Sequence, residues 1–402
     1  MKSRTWICTT AFCLFVALSI PPRSAALNDP NHQPTIITFD VSGAGTGVNQ
    51  GTFPVAINPK GAITGTYVDS NNVSHGFLRA PDGTVTTFDP TDDVNGIFVA
   101  GINPAGAITG SYFDSNLLFH GFLRAADGTI TVIDAPGAGS GAGTFQGTTI
   151  VGINAAGAIV GSYLDANNIN HGFLRACGHE NECDKGESTF TTFDVPGAGT
   201  GAFQGTTVFG VGFFGGNFLT GGINPAGAIT GSYLDSNFLF HAFLRATDGA
   251  ITPFDVPGAS TIEGVVVTDA TAINPNGTIA GFYFQPIPVG NPFGGNFRGF
   301  ARDRDGTFTT FDAATYPPCC IWTFAEAINP EGVIVGYDND GHDINHGFVR
   351  TRNGTIITFD APGAGTGNFQ GTIPFSINPS GEITGYFTDA RRVAHGFLRE
   401  KD

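Results

Sequence analysis

The chain has 402 residues and carries 34 Asp plus Glu against 18 Lys plus Arg, a formal net charge of −16. Acidity of this order repels nucleic acid and anionic membrane surfaces, which excludes polyanion binding as a main role. Only 13% of residues are charged, while Phe numbers 37 and Gly 59, so the chain is a turn-rich body with an aromatic core and not a solvated acidic tail.

The first element in chain order is a secretory signal. Lys2 and Arg4 precede an apolar run from Trp6 to Ile20, and Ser24-Ala25-Ala26 supplies the small residues of a cleavage site, so residues 1–26 read as a signal peptide cleaved after Ala26. The run is too short for a permanent bilayer span, and the alternative is an uncleaved N-terminal anchor. Cleavage removes Lys2, Arg4 and Arg23 but no acid, which lowers Lys plus Arg from 18 to 15 and takes the net charge to −19. The mature chain, 27–402, is expected outside the cell or in the periplasm, as a monomer with no membrane span.

A single unit then recurs seven times, marked by an Ile-Asn-Pro-x-Gly turn at Ile57, Ile102, Ile153 (with Ala155 for Pro), Ile223, Ile273, Ile328 and Ile377. A period near fifty residues is the mark of a propeller or another repeat array. Each unit reads as four strands. The first ends at Ile-Asn; the second is Gly-Ala-Ile-Thr-Gly-Ser-Tyr-x-Asp, as at Gly106 to Asp114; the third is His-Gly-Phe-Leu-Arg, as at His120 to Arg124. The fourth is Thr-x-Thr-x-Phe-Asp, as at Thr84 to Asp89, and an Asp-Gly such as Asp127-Gly128 gives the hairpin before it. The third-strand His lies 18 residues after the turn Ile in six units, whereas Arg298 takes its place in the fifth, 25 residues on. The links between units vary in length, which places them on the surface.

The seventh unit stops after Arg399 without a fourth strand, and Thr35 to Asp40 is a fourth strand without a unit. The expected fold is therefore all-β: one seven-bladed β-propeller of four-stranded blades. Its repeats fall at about 42–89, 90–134, 135–194, 195–255, 256–312, 313–360 and 361–402, and the N-terminal strand 35–40 closes the ring by completing the last blade. A linear array is the alternative.

The His-Gly-Phe-Leu-Arg segments, with His241-Ala242-Phe243 in the fourth unit, resemble the HAF family of probable extracellular repeats across residues 35–399. That resemblance implies an extracellular repeat protein and no particular reaction. Arg298 departs from the pattern, and the Tyr position is altered in units six and seven around Tyr337 and Tyr386.

In a propeller the fourth-to-first links and the second-to-third loops share one face, which is the expected binding surface. His75, His120, His171, His241, His346 and His395 occupy equivalent places in different blades, so they form a wide ring that cannot hold one ion. Most have an Asp six residues earlier, as Asp69 precedes His75, and a within-blade Asp-to-His hydrogen bond is expected for them. Their role is read as structural. Tyr67, Tyr112, Tyr163 and Tyr233 are expected to pack between blades.

The segment Asp338-Asn339-Asp340-Gly341-His342-Asp343 breaks the repeat. Its carboxylates are donors of the kind calcium takes, but it lacks a distal Glu, and an Asx-rich turn accounts for it as well. Asp338, Asp340, His342 and Asp343, with Arg391 and Arg392 on the same face, are the candidate ligand-binding residues. No metal site or cofactor is expected beyond that calcium alternative. Glu326, near the start of the sixth blade, is an acid that could line the central channel. Cys177 and Cys183 bracket an extra loop of the third unit as a candidate disulfide, while Cys319 and Cys320 either form a vicinal disulfide or stay reduced.

The sequence holds no Gly-x-Ser-x-Gly, His-Glu-x-x-His or Cys-x-x-Cys motif. The expected function is a secreted, non-catalytic recognition or scaffold propeller whose partner is an extracellular glycan or protein. The alternatives are a carbohydrate-active lyase or hydrolase and a multivalent lectin.

Overall fold

The asparagine of each Ile-Asn-Pro-x-Gly turn explains both the turn and what surrounds it. In the computed structural model, which describes residues 34–91, 96–177, 188–208, 221–260, 268–286, 295–313 and 322–401, the Oδ1 of Asn58 accepts hydrogen bonds from the amides of Lys60 and Ala62 at 2.9 and 3.0 Å. This folds the chain back on itself, with Gly61 at φ 82°, a conformation that glycine adopts without strain. The Nδ2 of the same side chain donates to the carbonyl of Asn103 in the next unit. The bond recurs from Asn154 to Asn224, Asn224 to Asn274 and Asn274 to Asn329, and from Asn378 to Asn58 across 320 positions of sequence.

The strands are, before the first repeat, β1 (Ile36–Phe39); in unit one β2 (Gly51–Ile57), β3 (Ile63–Val68), β4 (Ser74–Arg79) and β5 (Val85–Phe88); in unit two β6 (Ile97–Ile102), β7 (Ile108–Phe113), β8 (Phe119–Arg124) and β9 (Ile130–Ile133). Unit three has β10 (Gly147–Ile153), β11 (Ile159–Leu164), β12 (Asn170–Cys177) and β13 (Ser188–Phe193). Unit four has a first strand in two pieces, β14 (Gly205–Thr207) and β15 (Gly222–Ile223), then β16 (Ile229–Leu234), β17 (Phe240–Arg245) and β18 (Ile251–Phe254). Unit five has β19 (Thr268–Ile273), β20 (Ile279–Pro286), β21 (Gly295–Arg302) and β22 (Phe308–Phe311); unit six β23 (Trp322–Ile328), β24 (Ile334–Asn339), β25 (Asn345–Arg350) and β26 (Ile356–Phe359). Unit seven has β27 (Gly371–Ile377), β28 (Ile383–Thr388) and β29 (Ala394–Arg399).

Consecutive strands within a unit pair antiparallel, as β2–β3, β3–β4 and β4–β5 do. Short parallel bridges, such as Gly51 with Ala394 and Gly147 with Phe119, tie a unit's first strand to the third strand of its predecessor. The first strands also touch one another in succession, from β2 and β6 through to β23 and β27, and β27 touches β2. β1 pairs antiparallel with β29, from Ile36 opposite Arg399 to Phe39 opposite Gly396. Thr35–Lys401 is one compact unit, and no helix occurs among the described residues. The signal-peptide residues 1–26, Cys183, Cys319 and Cys320 lie outside the described residues, as does the side chain of Cys177.

The core is the phenylalanine of the third strand. Phe77, Phe122, Phe173, Phe243, Phe300, Phe348 and Phe397 are all fully buried, and each such side chain stabilises by about 1.5–3 kcal/mol. The arginine two residues later reaches back over the fourth-strand phenylalanine of the preceding unit: Arg124 over Phe88 at 5.1 Å, Arg350 over Phe311 at 4.7 Å, Arg399 over Phe359 at 5.1 Å. Arg79 does the same to Phe39 of β1, at 4.9 Å. A cation–π contact contributes about 0.5–2 kcal/mol, so the buried rings supply most of the stability and the arginines fix how neighbouring units meet.

Asn274 is 2% exposed, and its amide both shapes its own turn and bonds the next unit. Asn274→Ala should lower unfolding stability by about 2–3 kcal/mol in urea titration, because it leaves buried partners unsatisfied. Asn274→Asp keeps the acceptor but loses the donor, and it should fail to restore the loss.

Candidate functional site

The repeated histidines sit between two carboxylates. The Nδ1 of His75 lies 2.9 Å from Asp89, the residue that ends the fourth strand, and its Nε2 lies 3.9 Å from Asp69. The same geometry holds for His120, His171 and His241, so the tight bond goes to the later Asp and the Asp six residues earlier stands farther off. That earlier Asp is occupied by its own loop: Oδ1 of Asp69 accepts from the amides of Asn71 and Val73. In unit seven the tight partner of His395 is Asp40, directly after β1. Tyr67, Tyr112, Tyr163 and Tyr233 stack on the histidine of their own unit with ring centroids 5.0–5.3 Å apart. In unit five Arg298 replaces His and grips Asp312 through two nitrogens, at 2.7 and 2.8 Å.

In unit six Asp338 stands opposite His346, where other units have Tyr or, in unit seven, Phe387. It is 1% exposed, its Oδ1 has no hydrogen-bond partner, and burial pushes its carboxyl up to about 6 although His346 pulls it down. Asp340 is the ordinary loop-shaping Asp of the repeat, bonded to the amides of His342 and Ile344. Asp343 accepts from Asn368, and Arg391 is exposed and paired with Asp389 at 3.1 Å. Arg392 occupies in unit seven the left-handed loop position that Asp343 occupies in unit six. Apart from Asp338, which lies within β24, these candidates lie on loops of two successive units, and no set of three metal-ligating groups converges among the described residues.

The link-bearing face is built by glutamines that the repeat reading passed over. Gln50, Gln146, Gln204 and Gln370 are buried, and each precedes a glycine in the recurring x-Gln-Gly segment. Their side chains bond the second-to-third loop of their own unit, as Gln50 does at Asn72, while their carbonyls accept from the third strand of the preceding unit, as from Ala394. A Cβ on Gly51 would run into the Ala394 carbonyl, so the residue after Gln must be glycine.

The residue before Gln is left-handed: Asn49, Phe145, Phe203 and Phe369, with φ from 56° to 63°. A bulky side chain is a true outlier there. Phe145, Phe203 and Phe369 are about half exposed, and so is Phe238, left-handed in the loop of unit four. Phe145 and Phe203 edge a cavity of about 290 Å³ together with Phe119, Tyr163, Phe240 and Thr207. Asn170, Thr149 and Ser162 supply its polar lining.

A second asymmetric cluster lies where the first and second strands of units five to seven meet. β23 bulges at Glu326, between Ala325 and Ala327, at the position held by Val55, Ala100, Val151, Thr271 and Phe375 in other units. Glu326 is half-buried; desolvation, with a contribution from Asp269, pushes its carboxyl up to about 8. That is above its ordinary 4.5, so the folded state favours the neutral form. The stability this contributes is complete below about pH 4.5 and is lost as pH rises through 8. Glu326→Gln should therefore raise the Tm above that of the wild type at pH 8–9 and leave it unchanged at pH 5, read by calorimetry at both pH values.

No family model matches the chain, and no curated protein matches it in sequence. Among solved structures, a streptogramin B lyase superposes with a TM-score of 0.52 at 13% identity, covering 90% of this chain and 97% of that one. The selenomethionine-substituted virginiamycin B lyase from Staphylococcus aureus gives 0.52 at 14% identity, over 92% and 100% of the two chains. A lectin from Burkholderia pseudomallei gives 0.44 at 10% identity, over 85% and 92%. The likeness to the two lyases is one of fold: this chain is all-β and propeller-like.

Proposed function

We propose that the mature chain is a secreted recognition propeller that binds a glycan, without a catalytic step, in the cavity between Phe145 and Phe203. The observation that carries this reading is the pair of half-exposed phenylalanines held in left-handed backbone over a cavity with few polar groups. Holding a bulky residue there costs about 1–2 kcal/mol, and folds keep such strain mainly where it serves a site. Two aromatic walls fit the apolar faces of a sugar ring, and Thr149, Ser162, Thr207 and Asn170 provide hydroxyl and amide groups to meet its hydroxyls. Tyr163 is the one ionisable side chain among the residues that line the cavity, a lining suited to holding a ligand more than to acid–base chemistry.

The reading includes membership of the HAF repeats and a closed ring of seven blades, with β1 as the fourth strand of the seventh. Three contacts support the closure: Asp40 bonds His395, Phe39 lies under Arg79, and Asn378 bonds Asn58. Each is a seam version of a contact that joins strands or units elsewhere.

The test of binding is an oligosaccharide and polysaccharide array probed with residues 27–402, followed by Phe145→Asn and Phe203→Asn. Asparagine holds the same left-handed position at Asn49. Each variant should lose at least about tenfold in affinity while its Tm stays level or rises, since the strain is relieved. Variants that bind as the wild type does would remove the cavity from the account. For closure, deletion of residues 27–41 should lower the Tm by several degrees, and a truncated protein that melts with the full mature chain would contradict the seam.

A further inference from the structure

Phe145 and Phe203 are not alone in being forced into left-handed backbone on the link-bearing face. The fourth residue of the second-to-third loop is left-handed in six units, where it is Asn72, Leu117, Asn168, Phe238, Asp343 and Arg392 in turn. Asparagine and aspartate tolerate that conformation, while leucine and phenylalanine are strained by it. Among these six units only two and four place an apolar residue there. They are also the units that supply Phe119 and Phe240 to the lining of the Phe145–Phe203 cavity.

Phe238 is 47% exposed, and its loop holds it firmly. The Oδ1 of Asp235 accepts from the amides of Asn237 and Leu239 at 2.8 and 2.9 Å, and the Phe238 amide donates to the Asp235 carbonyl at 3.2 Å. Two residues on, Phe240 opens β17 and lines the cavity, while it also packs against the cluster that holds Phe284 and Phe297 of unit five. Two residues span at most about 7 Å of backbone, so the backbone of Phe238 adjoins the unit-four wall of the cavity. At the unit-two end Leu117 has the same relation to Phe119. The carbonyl of Asn116 accepts there from the Gly143 amide, in the link that carries Phe145, and Phe113 braces Phe145 edge-on at 5.7 Å. The loops and links of this stretch, 114–119, 134–147, 165–170, 194–205 and 235–240, contain Asp114, Asp134, Asp165, Asp194 and Asp235 and no lysine or arginine.

We propose that Phe238 is a further subsite of the Phe145–Phe203 cavity, and that the ligand is a neutral oligosaccharide chain running from unit two to unit four, not a single terminal sugar. The inference rests on the glycan reading of the cavity. A cavity of about 290 Å³ lies at the small end of ligand pockets, which run from about 300 to 1,000 Å³, so a longer chain must leave it. The exposed ring of Phe238 on its stiff loop then offers the next sugar an apolar face. Asparagine at the same loop place in units one and three avoids the strain, and folds keep such strain mainly where it serves a site. Segments that carry aspartate and no lysine or arginine repel uronate and sulfated chains, which leaves a neutral one.

The test is titration calorimetry of the mature protein with cello-, manno-, xylo- and chito-oligosaccharides, each from the monosaccharide to the hexasaccharide, and with oligogalacturonate as the acidic counterpart. The proposal expects the affinity for at least one neutral series to rise with chain length. Phe238→Asn should remove that rise, lowering the affinity of the longest member about three- to tenfold while the shortest members that bind keep theirs. Phe238→Leu, which installs the residue type of unit two, should recover part of the rise. Phe369→Asn relieves the same strain at a link outside the cavity lining and should change nothing. Melting temperatures level with or above the wild type would show that the variants are folded, since asparagine fills this loop place at Asn72 and Asn168. Affinity independent of chain length, or unchanged for the longest member in Phe238→Asn, would overturn the proposal and leave the cavity standing as a glycan site. Preference for oligogalacturonate over every neutral series would also overturn it. No binding by any series would overturn the glycan reading of the cavity, and this inference with it.

Discussion

One side-chain amide per unit sets the geometry that everything else inherits. The turn asparagine uses its oxygen to fold its own unit and its nitrogen to hold the next, so the bend of a hairpin and the spacing between units are fixed by the same planar group. An aspartate would make the turn and lose the link; a lysine would do neither. In the bonds from Asn58, Asn154, Asn224, Asn274 and Asn378 the donor points to the following unit, so these bonds run in one direction, and the bond from Asn378 meets Asn58 at the beginning of the first repeat. The phenylalanines of the third strands supply the bulk of the burial, but burial is non-directional, and it is the amides and the arginines over neighbouring rings that select one arrangement of units.

The buried glutamines do the corresponding work at the end of the units that carries the links. Each one clamps a link loop to its own unit through the side chain and to the preceding unit through its carbonyl. With its backbone held so firmly, the residue before the glutamine can be forced into a left-handed conformation and still project outward. Where that residue is asparagine, the loop is unstrained; where it is phenylalanine, the scaffold presents an apolar ring to solvent. The proposed glycan cavity is thus a by-product of the same clamp that orders the links.

The strand pattern and the relation between Thr35–Asp40 and the incomplete seventh unit were legible in the sequence, because a period of turns and an unpaired fourth-strand motif are both visible as text. The partner of the histidines was not. Spacing drew attention to Asp69 six residues before His75, whereas Asp69 is consumed by its own loop and Asp89, fourteen residues on, makes the bond. The recurring x-Gln-Gly signal was present in the sequence, but the left-handed backbone before it is a three-dimensional fact, so nothing in the sequence singled out Phe145 and Phe203. Asp338 drew attention through its acidic neighbours; the structure gives it a different distinction, as a buried carboxylate in the place of a tyrosine. Glu326 read as an acid near the start of the sixth unit that could line the central channel, while its place at the bulge of β23 came only from the strand register.

The most direct measurement of the account is hydrogen exchange at the seam, followed by mass spectrometry on the mature protein. If the amide-linked units meet as described, β1 (Ile36–Phe39) should exchange as slowly as β26 (Ile356–Phe359), which holds the same place in unit six. Exchange of β1 at the rate of an unfolded chain, with β26 still protected, would mean that the N-terminal strand does not complete the last unit and that the ring of contacts is open.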